Sequence, residues 1–458
     1  MSAESVDVAV VGAGPAGMAG AVALAGLGLQ VVLLDEQGSP GGQVYRGITL
    51  APLSRRDMLG ADYARGNELA QALAASAVRY EKGAAVWQVT RDHQVSYLYG
   101  GRSHTLNANA VLLATGAMER PFPIPGWTLP GVMSAGAAQI LLKSSGLAPS
   151  EPVVLAGCGP LLYLLGWQYV RAGVPIKALV DTTRPEDYWH ARRHLSAALR
   201  AWPYLRKGLE LMRSLRRAGI AHYRGAEQLA VEGTEAAAAL TFSAAGKPVR
   251  LATRCVLLHQ GVVPNIQFSQ SLRARHEWDA GQLCFSPVVD RWGELDVPGI
   301  FVAGDGAGIG GAQAAALQGR LAALGIASQL NALSTAQRDH QAAPLRATLA
   351  RHLRIRPFLD AVYQPKEENR IPADGVMVCR CEEVTAGALR GFVALGCAGP
   401  NQAKAFGRCG MGPCQGRLCG LTVTEVIAKA RGVSPGDVGY YRIRPPIKPI
   451  TLGELAAE

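Results

Sequence analysis

The sequence predicts an α/β chain built from two strand–turn–helix–strand units, the second inserted into the first, followed by a small helical unit rich in cysteine. Three observations predict it. G-x-G turns occur at Gly12 and Gly157, each between an apolar strand and a helical stretch. A further apolar strand ends at Gly304-Asp305, far downstream, where a return to the first unit would fall. Six of the nine cysteines lie between Cys379 and Cys419.

A chain of 458 residues exceeds one ordinary core, so two or three domains are expected. Hydrophobic residues make up 49% and charged residues 18%, the balance of a globular protein. No long apolar span lacks glycine breaks, and "MSAESVD" has no basic stretch, so neither a membrane helix nor a secretory signal is predicted. A cytoplasmic location follows as an expectation, and there clustered thiols favour a metal over disulfides. The net charge of +11 is partly local: residues 184–217 carry nine Lys/Arg against three acids on helical periodicity. That segment reads as a solvated basic face, or as a docking surface for a partner or an acidic membrane. No base-reading motif accompanies the charge, so nucleic acid is not expected.

In "VDVAVVGAGPAGMAGAVALAGLGLQVVLLDEQ", Gly12 permits the tight turn and Gly14 lets backbone amides approach a pyrophosphate. Pro15 and Ala16 open the helix, and Gly17 lets it lie close to the strand. The helix N-terminus offers free N–H groups and positive partial charge to phosphates. The next strand ends at Asp35 and Glu36; Asp35 stands 23 residues after Gly12, where a carboxylate accepts hydrogen bonds from a ribose. The motif alone does not separate FAD from NAD. Its context does: a Gly41-Gly42-Gln43 turn, a strand running into Ala114-Thr115-Gly116, and "VPGIFVAGDGAGIGGAQAAALQG" follow in order.

This order resembles the two-dinucleotide-binding-domain flavoproteins, the superfamily of glutathione and thioredoxin reductases. The resemblance implies FAD, with Asp305 after Gly304 gripping the ribityl–phosphate part. Ala312 and Gln313 then lie at the helix start facing the flavin, and Gly42, Gln43, Val86, Ala114, Thr115 and Gly116 join the site. In the second unit Gly157 and Gly159 match the motif but Leu162 replaces the third glycine, which weakens the case for NAD(P)H. Cys158 reads as a small filler, since no C-x-x-C stands near it. "RCVLLHQGVVPNIQF" resembles the return crossing. The expected domains are therefore 1–125 with 290–330 (FAD), 126–289 (second nucleotide fold with the basic insertion 184–217), a helical linker 331–372, and a unit at 373–458.

In that last unit "EEVTAGALRGFVALG" and "LTVTEVIAKARG" read as two helices, with "GRCGMGPCQGRLCG" as a turn between them. Four thiolates in the pattern C-x-C, 32 residues, C-x4-C suit iron–sulfur or zinc, and the single-residue gap suits a cluster better. The segment resembles the [2Fe–2S] domain of bacterioferritin-associated ferredoxin, which implies Cys379, Cys381, Cys414 and Cys419 as ligands. Cys409 precedes Cys414 by the same interval that separates Cys414 from Cys419 and stays open as a substitute for Cys414 or Cys419. Cys397 reads as structural. His190 and His194 lack a third ligand and read as a solvated pair.

"ATGAMERPFPIPGWTLPGVMSAGAAQILLKSSG" together with the cysteine segment and "YRIRPPIKPITLGELA" is similar to the α (or A) subunits of heteromeric amine dehydrogenases: D-hydroxyproline dehydrogenase, opine oxidase and the B subunit of hydrogen cyanide synthase. The resemblance implies an FAD-dependent oxidoreductase subunit for CH–NH donors, which relays electrons from a β subunit similar to D-amino-acid oxidase. Some members carry FMN at the subunit interface and a small ferredoxin-like γ subunit. In addition, a quinone-linked acceptor would place the complex peripherally at the inner membrane. No nucleophile–base set and no redox dithiol is found, so no catalytic residue is named. A self-contained NAD(P)H-dependent ferredoxin reductase and a non-enzymatic redox sensor are the competing readings.

Overall fold

The strand Arg102–Leu113 has 12 residues and serves two neighbours on one edge. Its first half pairs antiparallel with Gln94–Tyr99, and its last three residues pair parallel with Ile300–Val302. Its other edge pairs parallel with Glu4–Val11. The computed structural model describes residues 4–457. The seven-stranded sheet continues through Val31–Asp35 to Arg79–Lys82 on one side, and through Gln94–Tyr99 to Ala85–Val89 on the other. Its central strands are buried on both faces, so they read as continuous apolar runs.

Helix Pro15–Gly26 packs on this sheet against helix Ala312–Gln329. Glycine sets their distance. A Cβ on Gly319 would lie 2.1 Å from the Ala16 carbonyl oxygen, and one on Gly20 would lie 2.8 Å from Leu112 Cδ2. The late return of the chain thus places the Gly304-Asp305 loop beside the first glycine turn.

A second, five-stranded parallel sheet has the order Ala221–Arg224, Ile176–Asp181, Val153–Cys158, Cys255–Gln260, Val132–Ser134. The chain crosses between the two sheets at Ala117–Glu119 and returns at Val262–Pro264, and these two segments pair antiparallel. The basic insertion folds as helices Pro185–Ala191, Leu195–Leu199 and Trp202–Arg217.

The cysteine unit has three helices of eight residues or more, Ala386–Ala394, Pro400–Gly407 and Gly420–Arg431, where the sequence pattern suggested two. The extra one starts on a Gly399-Pro400 step and is too short and polar to show a periodic apolar face. This unit is not a separate bead. Val378, Cys379, Val423 and Tyr441 share one apolar core with Val6, Val11 and Leu113 of the first sheet. The C-terminal tail completes the contact: Ile447 N–H donates to the Trp87 carbonyl at 3.0 Å, and Lys448 ion-pairs with Glu36.

Candidate redox-cofactor sites

The first glycine turn leaves no room except where a ligand would enter. Gly12 has φ +102°, and a Cβ there would meet the Ala114 carbonyl oxygen at 2.6 Å. At Gly17 it would meet the Gly12 carbonyl oxygen at 1.8 Å. At Gly14 the nearest atom is Gly42 Cα, at 3.9 Å. Helix Pro15–Gly26 begins at Gly14 with no side-chain cap, so its first N–H groups are unused by side chains. Gly41 N–H donates to the Ala13 carbonyl at 2.8 Å, which lays the Gly41-Gly42-Gln43 turn over the same loop.

Asp35 is buried and braces this turn. Its Oδ2 accepts from Ala13 N–H at 2.5 Å and its Oδ1 from Gln37 N–H at 2.7 Å. Burial pushes its pKa up, against the pull of those hydrogen bonds. Glu36 beside it is held by Lys448 of the tail. Thr115 Oγ1 donates to the Asn265 carbonyl at 3.0 Å, and Asn265 N–H donates to the Gly116 carbonyl at 2.9 Å, tying the return crossing to the first fold. Asp305 Oδ1 accepts from Gly310 and Gly311 N–H at 2.8 and 2.9 Å and so shapes the start of the helix that opens with Ala312-Gln313. A Cβ on Gly116, Gly308 or Gly311 would meet nothing within 4 Å. Open backbone thus surrounds an uncapped helix start, as an extended dinucleotide requires. Val86 is buried on its strand opposite Tyr97.

The second glycine turn is built alike but closed. Leu162 is fully buried. Cys158 is buried too, which pushes its thiol up to about 12, and its Sγ donates to the Tyr363 carbonyl of the linker at 3.5 Å. The acid ending the second strand, Asp181, accepts from the Tyr163 hydroxyl and from Thr183 N–H. Lys366 of the linker grips Asp187 at 2.5 Å. The chain's own side chains and linker thus pack around Cys158 and Asp181 at this turn, although helix Pro160–Arg171 also starts uncapped at Gly159.

Sequence reasoning missed one pair at the domain crossing. His259 Nδ1 lies 2.7 Å from Glu119 Oε1, and Glu119 Oε2 accepts from Gly136 N–H at 2.8 Å. The two residues are 140 positions apart, so no local spacing could show them.

The thiol nest gathers five cysteines. The sulfurs of Cys379, Cys409 and Cys419 lie within 4.8 Å of one another, all buried. Cys414 contacts Cys419, and the exposed Cys381 contacts Cys414. Cys397 stands apart, donating to the Gly399 carbonyl at 3.4 Å. Hydrogen bonds from Cys409 and Cys419 hold the Cys379 thiol far below its usual range, and one from Cys419 brings Cys414 down to about 5. The same hydrogen bonds raise Cys409 and Cys419, so the shifts divide among the sulfurs. It is the convergence of five sulfurs that suits a metal, which binds the thiolate form.

The glycines of "GRCGMGPCQGRLCG" make this nest possible. A Cβ on Gly410 or Gly416 would strike the Tyr441 ring at 2.4 or 2.6 Å, one on Gly420 the Tyr440 hydroxyl at 2.4 Å, and one on Gly412 the Cys381 Cβ at 2.2 Å. Tyr441 is fully buried, with its hydroxyl 4.0 Å from Cys419 Sγ. Leu421, next to the nest, is buried with Val263 of the return crossing and with Cys284. The nest thus touches the crossing strands through Leu421, and Cys379, Cys409 and Cys419 share a core with the first sheet itself.

The sequence model of the pyridine nucleotide-disulphide oxidoreductases matches residues 6–319, and that of the sarcosine oxidase A3 domain matches residues 376–458. The A subunit of opine oxidase from Agrobacterium tumefaciens is 47% identical over 460 residues, covering 98% of this chain and 91% of that protein. The HcnB subunit of hydrogen cyanide synthase from Pseudomonas aeruginosa is 34% identical, covering 96% of each. Among solved structures, an L-proline dehydrogenase from P. horikoshii shares the fold with a TM-score of 0.71 at 21% identity, over 100% of this chain and 81% of that one. The chain belongs to the pyridine nucleotide-disulphide oxidoreductase family of flavoproteins, among the opine oxidase A and hydrogen cyanide synthase HcnB subunits of heteromeric oxidoreductases.

Proposed function

We propose that this chain is the electron-relay subunit of a heteromeric amine dehydrogenase acting on an amino-acid-type CH–NH donor such as D-hydroxyproline or an opine. FAD lies in the first fold against Gly12, Gly14, Gly17, Asp35, Gly42, Gln43, Thr115, Gly116, Asp305 and Gln313. A [2Fe–2S] cluster is held by Cys379, Cys381, Cys414 and Cys419. A partner similar to D-amino-acid oxidase oxidises the amine, and FMN and a small ferredoxin-like subunit complete some such assemblies. The flavin supplies two- and one-electron chemistry and the cluster one-electron chemistry. The protein's part is to hold both. The uncapped helix start and open glycines receive the dinucleotide, Asp305 keeps its loop in place, and buried Tyr441 covers the inner sulfurs while Cys381 stays exposed. The observation that carries the reading is the apolar core that Cys379, Cys409 and Cys419 share with the first sheet.

The test is reconstitution. The chain co-expressed with its partner subunits reduces an artificial dye when given D-hydroxyproline, an opine, sarcosine or glycine, whereas the isolated chain does not. Amine-dependent turnover by the isolated chain refutes this division of labour. The closed second turn gives an independent expectation: NADH or NADPH leaves the flavin band of the loaded chain unchanged over minutes. Rapid bleaching would restore the self-contained reductase. Among the described residues no helix is long and apolar enough to cross a membrane.

A further inference from the structure

Two cations, Lys143 buried and Arg46 half-buried, flank the first glycine turn, and among the described residues neither has a carboxylate partner. Lys143, on helix Ala135–Ser145, is 4% exposed. Its Nζ donates to Gln139 Oε1 at 2.7 Å and to the Gln43 carbonyl at 3.3 Å, which uses two of an ammonium's three N–H groups. Arg46, three residues past Gln43, donates Nη2 to Gln43 Oε1 at 3.2 Å, while its Nε and Nη1 are buried without a partner. Among the described residues no ion pair to a carboxylate involves either side chain. The acid that Arg46 senses, Asp35, already accepts two backbone N–H groups. Burial lowers Lys143 to about 7, and the charge of Arg46 acts in the same direction. Two mutually repelling cations, one buried and the other half-buried with two orphaned donor atoms, lack a counter-ion, and a buried charge is costly until one is present.

The location indicates which anion. Gln43 follows Gly42, and a Cβ on Gly42 would lie 2.8 Å from Gly14 Cα. Both cations therefore converge on the residue next to the open backbone where a pyrophosphate would lie. We propose that Arg46 and Lys143 form a clamp on the diphosphate of the dinucleotide in the first fold. Arg46 offers a two-pronged N–H edge and Lys143 a point charge, the two geometries that suit phosphate oxygens. A buried amide chain aims the lysine: Gln168 Nε2 donates to the Leu59 carbonyl at 3.0 Å, Gln139 Nε2 donates to Gln168 Oε1 at 2.8 Å, and Gln139 Oε1 accepts from Lys143. Lys143, Gln139 and Gln168 sit on helices packed on the second sheet, whereas Arg46 belongs to the first fold. The clamp thus closes across the two nucleotide folds, and a bound diphosphate ties them together.

This inference rests on the first fold holding FAD, and the test separates the two claims. Arg46→Met, Lys143→Met and Lys143→Arg versions of the full chain are stripped of flavin, and FAD, ADP and riboflavin are titrated in turn. Each Met variant weakens FAD and ADP by about ten-fold or more, as loss of a charged hydrogen bond predicts. Riboflavin, which has no phosphate, binds as to wild type, and Lys143→Arg retains most of the affinity. Melting curves report whether each variant is folded. Folded Met variants that bind FAD and ADP like wild type overturn the clamp, as does an equal loss for riboflavin. If wild type binds ADP but not FAD and the Met variants lose ADP, the clamp stands and the flavin assignment falls.

Discussion

Cys379→Ser and Cys419→Ser proteins lose nearly all bound iron and acid-labile sulfide, together with the visible absorbance beyond the flavin bands. Cys379, Cys409 and Cys419 touch one another, Cys419 also touches Cys414, and Cys414 touches Cys381. Cys379 and Cys419 belong both to the set completed by Cys414 and Cys381 and to the set completed by Cys409 and Cys414, so either of these sets fails without them. Cys381 and Cys409 decide between the two. With Cys381 as ligand, Cys381→Ser abolishes the cluster and Cys409→Ser keeps its iron. If Cys409 is the ligand, the two results are exchanged. Because a bound metal stabilises the folded site that holds it, the cluster-free variants also melt earlier in the C-terminal unit. Full iron content in Cys419→Ser would remove the cluster from this nest altogether.

The parts of this molecule legible in the sequence are those encoded by local spacing. Gly12 and Gly17 announce a turn because each is required by a contact within a few residues or across one strand, and Gly14 completes their spacing. Asp305 is legible because it accepts from Gly310 and Gly311, a few residues on. The nest is legible only in part. C-x-C marks its start, but the inclusion of Cys409 depends on Tyr440 and Tyr441, which lie about 30 residues on and fill the space cleared by Gly410, Gly416 and Gly420. The closing of the second glycine turn depends on a linker that arrives 205 residues after Cys158. Leu162 hints at it, but the Tyr363 contact has no sequence signature. The basic insertion is likewise only partly legible. Its charge excess is plain, yet Arg184 pairs with Glu227, Lys207 with Asp62, and Arg192 lies over the Trp189 ring at 3.8 Å. Two of these three partners are distant in sequence, and together they convert part of an apparent charge run into internal structure.

The second large effect is expected at a buried ion pair that joins the linker to the cysteine helix. Arg370 ends the short helix Glu367–Arg370, and Glu425 lies within Gly420–Arg431; their side chains are 12% and 3% exposed. Burial, followed by the charge of the nearby Arg120, brings Arg370 down to about 10. Arg120 is itself buried and rests on the carbonyls of Gln282 and Leu283. Glu425→Gln would leave the Arg370 guanidinium without its paired carboxylate, and Arg370→Met would leave a buried carboxylate. Each single change is expected to destabilise by about 3–5 kcal/mol, because the remaining charge keeps its desolvation cost and loses its partner. The double variant Arg370→Met/Glu425→Leu removes both charges and is expected to recover most of that loss, so the two changes are strongly non-additive. Denaturant titrations that follow cluster absorbance and flavin fluorescence separately would locate the effect. The cluster signal shifts first, since the pair anchors the helix that begins at Cys419, whereas flavin release moves less. Single variants with wild-type midpoints, or a double variant weaker than either single, would show that the pair does not hold the cysteine unit to the linker.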